Sequence, residues 1–243
     1  MTQTVLTVKE NIPLTADVFK MVLAGGEGEP MRPGQFINIR VDGLYLRRPI
    51  SVCDINGGKI TILCKKVGRG TERLSRLGAG SPLDVLTGLG NGFDTDIDGG
   101  RPVLVGGGIG CAPLYLLAKK LVEKGKKVAV VLGFRTESEV FFTDEFTALG
   151  AKVVVATEDG SFGLRGFATD AAAALEHDYF YACGPEPMLK AMCRATAAPG
   201  QLSFEARMGC GFGACMGCSC RTVTGFKRIC REGPVMRKED LIW

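Results

Sequence analysis

The residues best suited to chemistry lie near the carboxyl end of the chain. In GCGFGACMGCSCRTVTGFKRIC, Cys210, Cys215 and Cys218 follow a Cys-x4-Cys-x2-Cys spacing, and Cys230 returns after an intervening segment. Thiolates are soft ligands, and three on one loop with a fourth from a separate segment is the arrangement that holds a two-iron, two-sulfur (2Fe-2S) cluster. Gly209, Gly211, Gly213 and Gly217 suit the same reading, because a chain without Cβ atoms wraps closely and can turn its amides toward cluster sulfur. The rival is a structural zinc site of four thiolates, although zinc hooks usually come as paired Cys-x2-Cys units. Cys220 is expected to be a non-ligand, since in extended chain it faces away from the near neighbours of Cys218.

A second constellation is VLVGGGIGCAPL, with Gly106, Gly107, Gly108 and Gly110 between an apolar strand and a helix that carries Pro113 in its first turn. Glycines let the backbone turn tightly and approach a pyrophosphate, and the free amides of a helix start favour its charge. The turn departs from G-x-G-x-x-G because Cys111 stands where the third glycine would be. After the next strand, Arg135 has the charge to face a 2′-phosphate and Glu137 the carboxylate to face a ribose; for both, the reading as solvated loop charges weighs more. Further on, YACGPEPML puts Cys183, Gly184 and Pro185 at the carboxyl end of another apolar strand, where open α/β sheets bind ligands and a nicotinamide would arrive. Cys183 reads equally well as a small buried hydrophobe.

A third constellation is RRPISVCD, a strand carrying Arg48, Pro49, Ile50 and Ser51, followed by GRGTERLSRL. Arg48 can pair with phosphate and Ser51 can hydrogen-bond a ring or ribose edge, while Gly70 and Thr71 open a short helix, expected over Thr71 to Leu77. An arginine on a barrel strand is by itself usually a surface charge. The sole histidine, His177, precedes a strand and reads as a surface residue, and nothing resembles a substrate base.

The elements that must position these groups change character along the chain. The first hundred residues hold short apolar or alternating runs such as QFINIRV, KITILCKKV and PLDVLTGL, separated by Gly, Pro, Asn and Asp, which is the pattern of an antiparallel barrel or sandwich. From Arg101 strands alternate with helices, which argues for a parallel, doubly wound sheet. After Gly200 cysteine and glycine crowd together in a third, small module. The expected divisions are 1–98, 99–200 and 201–243.

Composition narrows the classes. The chain has 243 residues, 46% hydrophobic and 23% charged, so it folds as ordinary globular domains do. Its 30 Lys and Arg against 26 Asp and Glu leave +4 with no basic block, so nucleic acid is not indicated. The longest uncharged stretch, Pro102 to Ala118, is broken by glycines and reads as strand, turn and buried helix rather than a membrane span. The start MTQTVLTVKENI lacks a basic n-region and a continuous apolar run, so a cytoplasmic location is expected. In that reducing compartment ten cysteines point to metal or redox chemistry rather than disulfides.

The RRPIS strand, the GGGIG turn, the ACGP turn and the four-cysteine pattern, in that order, resemble the ferredoxin reductase superfamily. With GCGFGACMGCSC and the ending KRICREGPVM, essentially the whole chain resembles its family of dihydroorotate dehydrogenase B electron transfer subunits. The resemblance implies a β plus α/β fold: an antiparallel FAD-binding barrel, a parallel-sheet NAD-binding domain and a C-terminal iron-sulfur module. It implies FAD contacts at Arg48, Pro49, Ile50, Ser51, Lys65, Val67, Gly70 and Thr71, and cluster ligation by Cys210, Cys215, Cys218 and Cys230. NAD falls to Gly107, Gly108, Gly110, Cys183, Gly184 and Pro185. The implied partner is an FMN-containing dihydroorotate dehydrogenase catalytic subunit, in a heterotetramer of two copies of each. There dihydroorotate is oxidised to orotate in pyrimidine biosynthesis, and electrons pass through the 2Fe-2S cluster and FAD to NAD+. The alternatives are an NADP-linked ferredoxin reductase subunit of another assembly and a non-catalytic zinc-stabilised binding module.

Overall fold

The structure is a computed structural model and describes residues 1–25 and 31–243. Strands β1 (Thr2–Pro13), β2 (Val18–Ala24), β3 (Phe36–Ile39), β4 (Arg48–Asn56), β5 (Lys59–Lys65) and β6 (Pro82–Leu89) close into a barrel in the order β1-β2-β5-β4-β3-β6, with every pair antiparallel. The alternation in PLDVLTGL is the alternation of β6: Leu83, Val85, Thr87 and Leu89 point inward and are buried. Between β5 and β6, α1 (Arg69–Ser75) caps the barrel and sends Leu74 into its core. This helix begins and ends two residues earlier than expected. At its start the Thr71 hydroxyl accepts from the Val67 amide (2.9 Å) and donates to the Gly68 carbonyl (3.1 Å). At its end the Leu77 amide closes a last turn on the Leu74 carbonyl (3.1 Å), and the Asn11 side chain donates to the carbonyls of Leu74 (3.0 Å) and Leu77 (2.8 Å).

The second sheet is built from β7 (Pro102–Gly107), α2 (Ala112–Glu123), β8 (Ala129–Phe134), α3 (Thr143–Ala148), β9 (Lys152–Thr157), β10 (Leu164–Arg165), α4 (Ala168–Ala173), β11 (Tyr179–Cys183), α5 (Glu186–Ala195) and β12 (Gly200–Ser203). The strands run in parallel in the order β10-β9-β8-β7-β11-β12. Leu104, Val130, Leu132 and Tyr181 form one buried face with α2 and α3, and Val103, Val105, Val131 and Ala182 form the other with α4 and α5. Helices on both faces explain why these strands are continuously apolar. The sheet is fastened to the barrel by α2, whose Leu116 joins the barrel core and whose Lys119 pairs with Asp54 at 3.0 Å.

The remaining chain leaves the sheet at Ser203, forms the hairpin β13 (Ser219–Thr222) and β14 (Gly225–Arg228), and returns as β15 (Val235–Arg237), which pairs antiparallel with β12. The expected division at 200/201 therefore falls inside a sheet strand, and the C-terminal module is an excursion from the sheet edge rather than a separate body. A four-residue strand with no helix after it carries no period that would mark it in the sequence. His177 is likewise half-buried rather than a surface residue, with Nδ1 bonded to the Leu175 carbonyl (2.8 Å) and Nε2 to the Thr196 hydroxyl (2.9 Å). Among the described residues no helix is long and apolar enough to cross a membrane.

Candidate functional site

A cleft of about 520 Å³ opens where the barrel meets the sheet. Arg48, Pro49, Ile50 and Ser51 on β4, Lys65 at the end of β5, and Val67 and Thr71 around the start of α1 all line it. Gly70 lies behind this wall: a Cβ there would fall 2.1 Å from Arg48 Nε, so only glycine lets that guanidinium lie across the helix start. The opposite wall comes from Ile109, Ala112 and Pro113 at the head of α2, from Cys183, and from Phe204 to Met208. The cleft thus combines apolar surfaces broad enough for an aromatic ring system with Arg48, Lys65 and Arg207 for phosphate charge, which fits a flavin dinucleotide. Cys183 is buried, and that burial pushes its thiol well up, with Glu205 adding to the effect.

A second cleft, of about 550 Å³, lies over the carboxyl ends of β7, β8 and β9. Gly107, Gly108 and Pro185 line it, whereas Gly110 and Gly184 stand behind the surface. A Cβ on Gly110 would lie 2.2 Å from the Cys183 carbonyl oxygen, so this glycine allows the β7 turn and the β11 turn to touch. Arg135 lines the cleft and Glu137 does not; Glu139 and Glu158, two carboxylates that the sequence did not single out, do. The two clefts share a wall made of Lys65, Ile109 and Glu205. Burial raises the Glu205 carboxyl above its ordinary range.

The cysteines of the excursion gather in two pairs. The Cys215 amide donates to Cys210 Sγ (3.4 Å) and the Cys210 amide to Cys215 Sγ (3.5 Å), while the Cys230 amide donates to Cys218 Sγ (3.4 Å). Burial works against ionisation of Cys210, but backbone amides of Cys215, Phe212 and Ala214 outweigh it and bring the thiol down to about 6. Cys230 is pushed up to about 12 by burial and by the neighbouring Cys218. Among the described residues no three metal-binding side chains converge on a single point. Two thiol pairs suit two irons with two thiolates each better than one tetrahedral zinc. Cys220 turns aside toward Met236 Sδ (3.8 Å).

Two asparagines outside the motifs hold this excursion against the barrel. Asn38 on β3 is 1% exposed; its Nδ2 donates to the Cys210 carbonyl at 3.1 Å, and its Oδ1 has no partner among the described residues. Gly211, at φ +78°, leaves the room this approach needs, since a Cβ there would lie 2.3 Å from Asn38 Nδ2. Asn91, just past β6, donates to the carbonyls of Glu232 (2.9 Å) and Val235 (2.7 Å) and accepts from the Val235 amide (3.1 Å).

Residues 205–242 match the family model described as the iron-sulfur cluster binding domain of dihydroorotate dehydrogenase B, and residues 104–194 match the oxidoreductase NAD-binding domain. The dihydroorotate dehydrogenase B (NAD(+)) electron transfer subunit of Bacillus caldolyticus is 44% identical over 98% of this chain and 97% of its own. The chain belongs to the family of dihydroorotate dehydrogenase B electron transfer subunits. Its counterpart in Fusobacterium nucleatum is 41% identical over 97% of this chain and 96% of its own. Among solved structures, a chain of an NADH-dependent reduced ferredoxin-NADP oxidoreductase superposes with a TM-score of 0.88 at 32% identity, covering 99% of this chain and 90% of that one. A ferredoxin NADP+ reductase from Neisseria gonorrhoeae shares the fold at 17% identity and a TM-score of 0.68, over 80% of this chain and 90% of its own. Membership makes this chain an oxidoreductase subunit that works with a catalytic partner.

Proposed function

We propose that this chain is the electron transfer subunit of an NAD+-linked dihydroorotate dehydrogenase. On this reading it takes electrons from an FMN-containing catalytic subunit that oxidises dihydroorotate to orotate, passes them through a 2Fe-2S cluster and FAD, and delivers them to NAD+. The observation that carries it is one continuous wall. Phe204 to Met208 leave β12, line the flavin-sized cleft and lead straight into Cys210, while the same cleft shares Lys65, Ile109 and Glu205 with the nucleotide cleft. Bound FAD supplies the exchange between single electrons and a hydride.

The chain's residues divide the remaining work. Arg48 offsets the charge of the flavin pyrophosphate, Lys65 stands at the wall shared with the nucleotide cleft, Ser51 offers a hydroxyl to a ring or ribose edge, and Pro49, Ile50 and Val67 supply apolar wall. Gly70 and Thr71 shape the start of α1 beside Arg48. Gly107, Gly108 and Pro185 receive the nicotinamide nucleotide, with Gly110, Cys183 and Gly184 fixing the turn behind it. Cys210, Cys215, Cys218 and Cys230 would hold the cluster, their thiolates supplying its four protein ligands. The barrel serves the flavin and the parallel sheet the nucleotide, while the excursion between Ser203 and Val235 serves the cluster and lends Phe204 to Met208 to the flavin cleft. The assembly contains two copies of each subunit and works in the cytoplasm.

The whole-length superposition on the ferredoxin-NADP oxidoreductase chain favours a second reading, a reductase subunit of another electron-transfer assembly. Anaerobic addition of dihydroorotate to the complex copurified with this chain decides between them. Bleaching of flavin and cluster absorbance followed by NADH formation is expected. A complex that NADH reduces but dihydroorotate does not would overturn the first reading in favour of the second.

A further inference from the structure

The nucleotide cleft carries its charges unevenly. Lys65 sits at the end shared with the flavin cleft and is engaged by Asp17 at 3.1 Å. The other end, over β8 and β9, is formed by Gly133, Phe134, Arg135, Glu139, Glu158 and Phe167. A dinucleotide lying across the carboxyl ends of the strands, with its nicotinamide at the shared wall, brings its adenosine ribose to this outer end. Arg135 is the sole cation among the described residues that line it.

That cation is already used. Arg135 Nη2 is bonded to Glu139 Oε1, and the Arg135 backbone amide donates to Glu139 Oε2 at 3.4 Å, so the arginine holds both oxygens of the carboxylate. The hydrogen bond from Arg135 keeps the Glu139 carboxyl below its ordinary range, so the pair is fully charged at neutral pH. The carboxylate of Glu158, one residue beyond β9, is exposed in the same cleft with no cation paired to it among the described contacts. The outer end therefore presents an arginine whose charge Glu139 and, from further off, Glu158 offset, with the Glu158 carboxylate open to accept. A ribose 2′-hydroxyl can donate to a carboxylate, whereas a 2′-phosphate needs a free guanidinium and is repelled by a carboxylate.

We propose that Glu139 sets the choice of nucleotide: by occupying Arg135 it closes a latent 2′-phosphate site, and with Glu158 it makes the cleft select NAD over NADP. This rests on the nucleotide cleft assigned under Proposed function. Arg135 is a phosphate ligand in all but its partner, and Glu139 is a specificity-determining residue.

The test uses the full chain loaded with flavin and cluster, with loading checked by absorbance, and follows flavin bleaching on rapid anaerobic mixing with NADH or NADPH. The wild type is expected to favour NADH. Glu139→Gln is expected to raise the NADPH-to-NADH ratio of second-order rate constants by about tenfold, the scale of one freed charged hydrogen bond. Glu139→Gln combined with Arg135→Ala is expected to return the ratio to the wild-type side. A wild type that takes NADPH as readily as NADH, a ratio unmoved by Glu139→Gln, or a gain that survives removal of Arg135 each overturns this inference alone, as NADH reduction stays intact. Reduction by neither nucleotide overturns it together with the function proposed above.

Discussion

Cys64 and Cys210 put the same thiol into opposite surroundings. Cys64 lies in the barrel core at 1% exposure, and burial pushes it up to about 12; Cys53 and Cys111 in the interior are pushed up in the same way. Cys210 sits on a loop whose backbone carries Gly211 at φ +78°, Met216 at +60° and Gly213 at +96°. Left-handed residues turn successive amides to one side, and here those amides reach sulfur. Cys230, buried at the base of the excursion, stands between these cases: its surroundings are those of an interior thiol, yet it lies against Cys218. What separates Cys210 from the core thiols is thus the backbone around it, whereas Cys230 is set apart only by the thiol beside it.

The contrast breaks most sharply on substitution. Cys210→Ser is expected to abolish cluster loading, read as loss of acid-labile sulfide and of long-wavelength absorbance, while Cys64→Ala keeps the full complement. Next in size is Gly110→Ala, which forces a methyl group to within 2.2 Å of the Cys183 carbonyl and displaces the turn that carries that thiol. Flavin reduction by NADH should slow by on the order of a hundredfold, as displacements of about 1 Å at a reacting pair do, with the cluster spectrum unchanged. Asn38→Leu removes the donor to the Cys210 carbonyl but also the orphaned Oδ1, so the net loss in a denaturant titration should be only about 1 kcal/mol. The cluster absorbance of that variant should decay faster in air; equal decay would mean that the asparagine does not steady the loop.

The smallest effect concerns protonation. In metal-free chain Cys210 should be alkylated first, at a rate that falls as pH drops through about 6, because the thiolate is lost below that value. Cys53, Cys64 and Cys111 should stay unmodified at neutral pH until denaturant exposes them. Mass spectrometry of the modified peptides reads both outcomes, and early labelling of an interior thiol would erase the distinction drawn above.

Much of the architecture was legible because it repeats locally. The period of two in PLDVLTGL and the continuous apolar runs VLV and VAVVL mark a half-buried barrel strand and doubly covered sheet strands. The cysteine spacing is a local pattern too, and the structure places those residues as two neighbouring pairs, Cys210 with Cys215 and Cys218 with Cys230. What stayed hidden acts across the fold. Asn38, Asn91, Glu139, Glu158 and the wall from Phe204 to Met208 owe their places to elements distant in sequence, and each reads as an ordinary polar or loop residue where it stands. The limits of α1 were misread because Asn11, far upstream, bonds the carbonyls at its end. β15 was missed because its partner strand is neither parallel to it nor joined by a helix.

Ser203 and Val235 stand directly opposite one another across β12 and β15. Everything between them enters and leaves through a neck one strand-spacing wide, anchored in the stable edge of a covered sheet. The neck is not its only hold: Asn38 and Asn91 bond its backbone, and Phe36 and Leu89 of the barrel pack with Cys218 and Cys230. The flavin cleft and the thiol loop are therefore one mechanical unit, because the strand that leaves at Ser203 builds the wall of the first before it reaches the second.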